Sequence, residues 1–60
     1  MTARIEIAMD NAAFDESSGA ELARILRGVA AKLGHVVEEG GWNLHDTNGN
    51  TVGEVTFTDD

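Results

Sequence analysis

One apolar stripe constrains the fold of this chain more than any other feature. Leu22, Ile25, Leu26, Val29 and Leu33 recur at intervals that place them along one side of a helix. Ala23 and Ala30 flank the stripe and permit close packing, while Arg24, Arg27 and Lys32 lie away from it. Ser18 with Glu21 three residues later has the form of a capping box, and Ser17 is an alternative cap. Gly34 is a natural C-cap, and Lys32 suits the negative end of the helix dipole. The pattern predicts a helix over 18–33. Such a helix spans about 24 Å at about 1.5 Å per residue and cannot bury its own stripe.

The flanking segments supply the cover. Ile5, Ile7 and Met9 alternate with Arg4, Glu6 and Ala8, which predicts a strand over 3–9 with one buried face. Trp42 and Leu44 share one parity, with Asn43 and His45 opposite, and predict a second strand over 41–46. Val55 and Phe57 mark the inner face of a third over 51–58. Between the last two, Asp46-Thr47-Asn48-Gly49-Asn50 contains Asn-Gly, a strong hairpin signal. Residues 35–39 read either as a ragged helix extension or as a loop with Val36 or Val37 tucked inward. Asp59 and Asp60 read as a frayed tail.

The order strand, helix, strand, strand predicts an α+β fold in two layers. A three-stranded antiparallel sheet, with the third strand central, carries one helix packed on one face. Ile5, Ile7, Met9, Trp42, Leu44, Val55 and Phe57 are the expected sheet core. Arg4, Glu6, Asn43, His45, Glu54, Thr56 and Thr58 are expected on the open face, as in many antiparallel sheets. Residues 1–60 form a single domain. A chain of 60 residues buries only about 60% of its unfolded surface. With no cysteine to staple it, a homodimer is one way to add buried area. No apolar run is long enough for a membrane span or a signal peptide.

The residue types argue against catalysis and cofactors. Two histidines, no cysteine and no tyrosine leave few nucleophile and base pairings, and no Gly-x-Ser-x-Gly elbow surrounds Ser17 or Ser18. His35 and His45 read as surface histidines, so no enzyme is expected. Asp46-x-Asn48-x-Asn50 imitates the start of a calcium loop, but the sixth and twelfth positions hold Thr51 and Phe57 instead of glycine and glutamate. The hairpin turn explains these residues without an ion. No metal or other cofactor is expected.

Charge points to the partner class. Eleven acids against four bases give a net charge of -7, which disfavours nucleic acid and anionic membrane and favours basic protein surfaces. Asp10, Asp15 and Glu16 cluster in one connection, Glu38 and Glu39 in another. Solubility alone explains an acidic surface. The sharper reading has these carboxylates stand in for phosphates in the groove of a nucleic-acid-binding protein. Phe14 is then either an apolar anchor among the contact carboxylates or a cap on the end of the core.

Three segments carry a resemblance. Met9-Asp10-Asn11-Ala12-Ala13-Phe14, Glu21-Leu22-Ala23-Arg24-Ile25-Leu26-Arg27 and Leu44-His45-Asp46-Thr47-Asn48-Gly49-Asn50-Thr51-Val52-Gly53 resemble a widespread group of small phage and prophage proteins. The resemblance covers most of the chain and carries no catalytic residues across. It implies a mobile-element origin and the cytoplasm of a bacterial host. Very small acidic phage proteins are similar in type to anti-CRISPR inhibitors, which bind Cas proteins and block DNA recognition or cleavage. The expected function is therefore inhibition of a host defence system, most concretely as an anti-CRISPR on a Cas effector subunit. Asp10, Asp15, Glu16, Glu38 and Glu39 are the expected contacts. The alternative is a self-associating structural or regulatory phage module, pairing through its open sheet face or an edge strand.

Overall fold

The computed structural model describes residues 1–59; Asp60, half of the expected tail, lies outside them. Strand β1 runs over Thr2–Ile7 and leads through a single 3-10 turn, Ala12–Phe14, to helix α1, Ser18–Lys32. Strands β2, Gly40–His45, and β3, Thr51–Thr58, form the hairpin that closes the chain. The sheet order is β1-β3-β2, and both neighbours of β3 are antiparallel to it. The expected two-layer α+β architecture is the one observed, with the third strand central.

The register explains which side chains share a face. Ile5 stands opposite Val55, which stands opposite Trp42; Ile7, Gly53 and Leu44 form the next row. This is the helix-facing side. Arg4 opposite Thr56, and Glu6 opposite Glu54, belong to the open side. A bulge between Leu44 and His45 leaves Val52 as the extra residue of β3, and Val52 joins the core despite its parity.

The core comprises Phe14, Ile25, Val29, Leu44, Val52, Val55 and Phe57, with Ile7, Ala13, Val37 and Trp42 packed around it. Trp42 and Phe57 meet with ring centroids 5.8 Å apart. Two expected members are absent. Ile5 keeps 47% of its surface exposed and Met9 also stays exposed. The reason is where the helix lies. Arg24 reaches the His45 carbonyl at 3.1 Å, and the Lys32 ammonium sits 5.0 Å over the Trp42 ring. Both contacts belong to an α1 that lies over β2 and β3, so Ile5 is left uncovered while Ile7 still packs at the edge of the core. Met9 also lies beyond the strand, which ends at Ile7 rather than residue 9.

The helix ends differ from the capping pattern. Ser17 occupies the N-cap without a side-chain bond, and its carbonyl accepts the Glu21 N–H at 2.9 Å. The Glu21 side chain is engaged elsewhere, so no capping box forms. At the other end Leu33, in extended conformation, closes the helix with its N–H shared between Val29 and Ala30 carbonyls. Gly34 takes no left-handed conformation. Residues 35–39 form a loop in which Val37 turns inward and Val36 outward.

Two glycines are required by close approach. A Cβ on Gly41 would stand 1.9 Å from the Val55 carbonyl oxygen, and one on Gly53 would stand 1.9 Å from that of Glu6. Both positions let neighbouring backbones close on β3.

Candidate functional site

The end of the molecule where β1 leaves the sheet, α1 begins and the β2–β3 hairpin turns is built around two buried acids. Glu21 and Asp46 are only 7% and 4% exposed. Asp46 Oδ1 accepts the backbone N–H groups of Asn48 and Asn50, each at 2.9 Å. Its Oδ2 accepts the side-chain amides of Asn11 at 2.7 Å and Asn50 at 3.2 Å. The carboxylate therefore shapes the hairpin turn and ties it to the connection after β1. Gly49 alone takes a positive φ there, so the turn is organised by Asp46 rather than as a simple Asn-Gly type I′ turn. With four donors aimed at it, this carboxylate is filled by protein groups, the arrangement of an Asx-type turn.

Glu21 does the same for the helix. Its Oε1 accepts Arg24 Nε at 2.8 Å, and its Oε2 accepts Arg24 Nη2 at 3.0 Å and the Thr47 N–H at 2.8 Å. The bidentate bond with Arg24 holds the Glu21 carboxyl below its ordinary pKa against the opposing effect of burial, and the Thr47 bond adds to it. The same pairing raises the Arg24 guanidinium. For Asp46 burial pushes upward, yet the bonds from Asn50, Asn48 and Asn11 outweigh it and the net shift is downward. No signal in the chain joined residue 21 to residue 47; the contact exists only because α1 lands on the hairpin.

This node holds the connection of residues 8–17 in place. Asn11 caps the 3-10 turn, its Oδ1 accepting the Ala13 N–H at 3.1 Å. Phe14 is 4% exposed and sits in the core. Of the two roles open to Phe14, the cap on the core is the one observed, and the anchor role is corrected: the buried ring has almost no surface to offer a partner. Asp10, Asp15 and Glu16 are exposed on that anchored connection.

The structure does not bring the five expected carboxylates together. Glu38 and Glu39 are exposed just before β2, at the far end of α1, near Asp59. A helix of 15 residues separates the two sets by roughly 22 Å. Glu6 and Glu54 stand side by side on the open sheet face. Among the described residues the one ion pair is Arg24–Glu21, so none of these exposed acids is neutralised by a base.

The chemistry of the surface is plain. His35 lies in the loop after α1 and His45 at the opposite end of β2, both exposed. No described group of three His, Asp or Glu side chains is placed to hold a metal ion. No described helix is long and apolar enough to cross a membrane. No family model matches the chain, and no curated protein or solved structure is significantly similar to it.

Proposed function

We propose that this protein is a stoichiometric, non-catalytic inhibitor that binds a basic protein surface through the carboxylates of Asp10, Asp15 and Glu16. The observation that supports this is their mounting. Three unneutralised acids lie exposed on a connection tethered by the buried Phe14 ring and the Asn11–Asp46 bond. Preorganised charge loses less entropy on binding than charge on a mobile loop. Complementary fields also speed encounter with a basic partner. Glu38 and Glu39 form a second, smaller anionic end, which a partner spanning the 36 Å long axis would also meet.

In its most concrete form the proposal makes the chain an anti-CRISPR in the cytoplasm of a bacterial host, with a Cas effector subunit as target and the carboxylates occupying a DNA-phosphate groove. The resemblance to small phage proteins supports this form; the geometry supports the broader one.

The test is an interference assay in bacteria carrying an active CRISPR-Cas system, read as plating efficiency of a targeted phage. Expression of the chain should restore plating, and the Asp10→Lys/Asp15→Lys/Glu16→Lys variant should not. Binding to the captured Cas subunit should weaken steeply with added salt. No restoration in any CRISPR type, or equal restoration by the reversed variant, would overturn the proposal.

A further inference from the structure

The bare edge of β1 is the strongest unexplained feature of the molecule. We propose that β1 pairs with β1 of a second copy of this chain, antiparallel and centred on Ile5, to make one continuous sheet from two three-stranded ones. The inference is independent of the acidic-surface proposal, since none of its residues belongs to that set.

The backbone sets which groups are free. Ala8 donates its N–H to the Val52 carbonyl at 2.8 Å. Alternate residues of an antiparallel strand direct their backbone groups to the same neighbour. The even-numbered residues of β1 therefore face β3, and Ala3, Ile5 and Ile7 direct theirs outward. The other edge of the sheet differs. On β2 the outward carbonyl of His45 is already taken by Arg24, and Gly40 and Gly41 make its beginning weak strand material. Nothing among the described residues covers β1 in this way.

The side chains select the occupant. Arg4 and Glu6 flank Ile5 on the open face of the sheet. Pairing centred on Ile5 sets Arg4 of each copy opposite Glu6 of the other, in the non-hydrogen-bonded positions where side chains approach most closely. Registers centred on Arg4 or on Glu6 would also match outward backbone groups, but each sets a charge against its own copy. Only the Ile5-centred register cancels both charges. An edge defended by charge would repel its own copy; this edge is self-complementary about a two-fold axis, as an isologous dimer requires.

The helix-facing side points the same way. Ile5 is 47% exposed although its row contains Val55, the most buried of the described residues. Arg24, Gly28 and Lys32 border β2, so Leu22 and Leu26 occupy the opposite flank of α1, on the β1 side. Leu26 is also exposed. Pairing across β1 covers this apolar seam with its own symmetry mate, placing Ile5 against Ile5 at the axis.

The experiment is sedimentation equilibrium on the full chain over a range of micromolar concentrations, with circular dichroism to show that each variant is folded. The wild type should form a dimer. Arg4→Glu should weaken it by about tenfold or more, because two opposite-charge pairs become like-charge pairs. The exchanged variant Arg4→Glu/Glu6→Arg should restore it. The register is read by cross-linking, since the chain has no cysteine of its own. Ile5→Cys should form an intermolecular disulfide under mild oxidation, because a hydrogen-bonded pair sets the two Cα atoms about 5.5 Å apart, within disulfide range. A wild type that stays monomeric, a dimer indifferent to Arg4→Glu, or faster cross-linking by Arg4→Cys or Glu6→Cys would each overturn the proposal.

Discussion

The Glu21 carboxylate accepts the Thr47 backbone N–H at 2.8 Å, joining the first turn of α1 to the β2–β3 hairpin across 26 positions of sequence. The same carboxylate is held by both Arg24 nitrogens that reach it. Replacing it by Gln turns an amide NH₂ either toward Arg24 Nε or toward both Arg24 Nη2 and the Thr47 N–H, so at least one donor loses its acceptor. Glu21→Gln should therefore lower the melting temperature clearly, and hydrogen exchange should quicken first at Thr47. An unchanged exchange rate at Thr47 would show that the bond carries no stability.

Acid should unfold this protein through the same two groups. Glu21 and Asp46 both have carboxyls lowered in the fold, so the unfolded chain binds protons more readily than the native one as pH falls. Their contribution is fully present above the ordinary carboxylate range, near pH 4, and is lost as pH drops through the lowered folded values. A stability profile measured by urea unfolding should fall on the acid side, and Glu21→Gln should flatten part of that fall. Asp46→Asn should be the more damaging change, since an amide NH₂ at Oδ2 would meet the donors of Asn11 and Asn50.

Phe14 and its acidic neighbours should separate stability from binding. Phe14→Ala removes a core aromatic and should cost about 3–4 kcal/mol, a large share of the stability of so small a domain. Asp15→Ala and Glu16→Ala are changes at exposed sites and should stay within about 0.5 kcal/mol in unfolding experiments. The same two variants should weaken binding to the partner.

The glycines divide into two kinds. Gly41→Ala and Gly53→Ala drive a Cβ into backbone oxygens of the neighbouring strand and should prevent cooperative folding. Gly19→Ala and Gly28→Ala, both within α1, meet nothing within 4 Å. Each should stabilise the protein by up to about 1 kcal/mol. Thermal melts of the four variants decide the matter, and equal effects in the two pairs would contradict it.

Local pattern determined most of the architecture. The five-residue stripe placed α1, and the alternation around Ile5, Trp42 and Val55 placed three strands on the correct faces, because period alone distinguishes a helix from a half-buried strand. The limits of β3 were legible to the residue. Asp10, Asp15, Glu16, Glu38 and Glu39, grouped in the connections, are exposed, whereas Asp46, equally without a base on its segment, is buried because four donors converge on it.

What the chain alone did not reveal depends on where one element comes to rest upon another. The helix lies toward β2, where Ile25 and Val29 pack with Leu44 and where Arg24 and Lys32 meet the His45 carbonyl and Trp42. That lean exposes Ile5, turns Glu21 from a cap into a clamp and draws Phe14 beneath the first connection. These are contacts between residues far apart in sequence, and periodicity, which compares only near neighbours, holds no record of them.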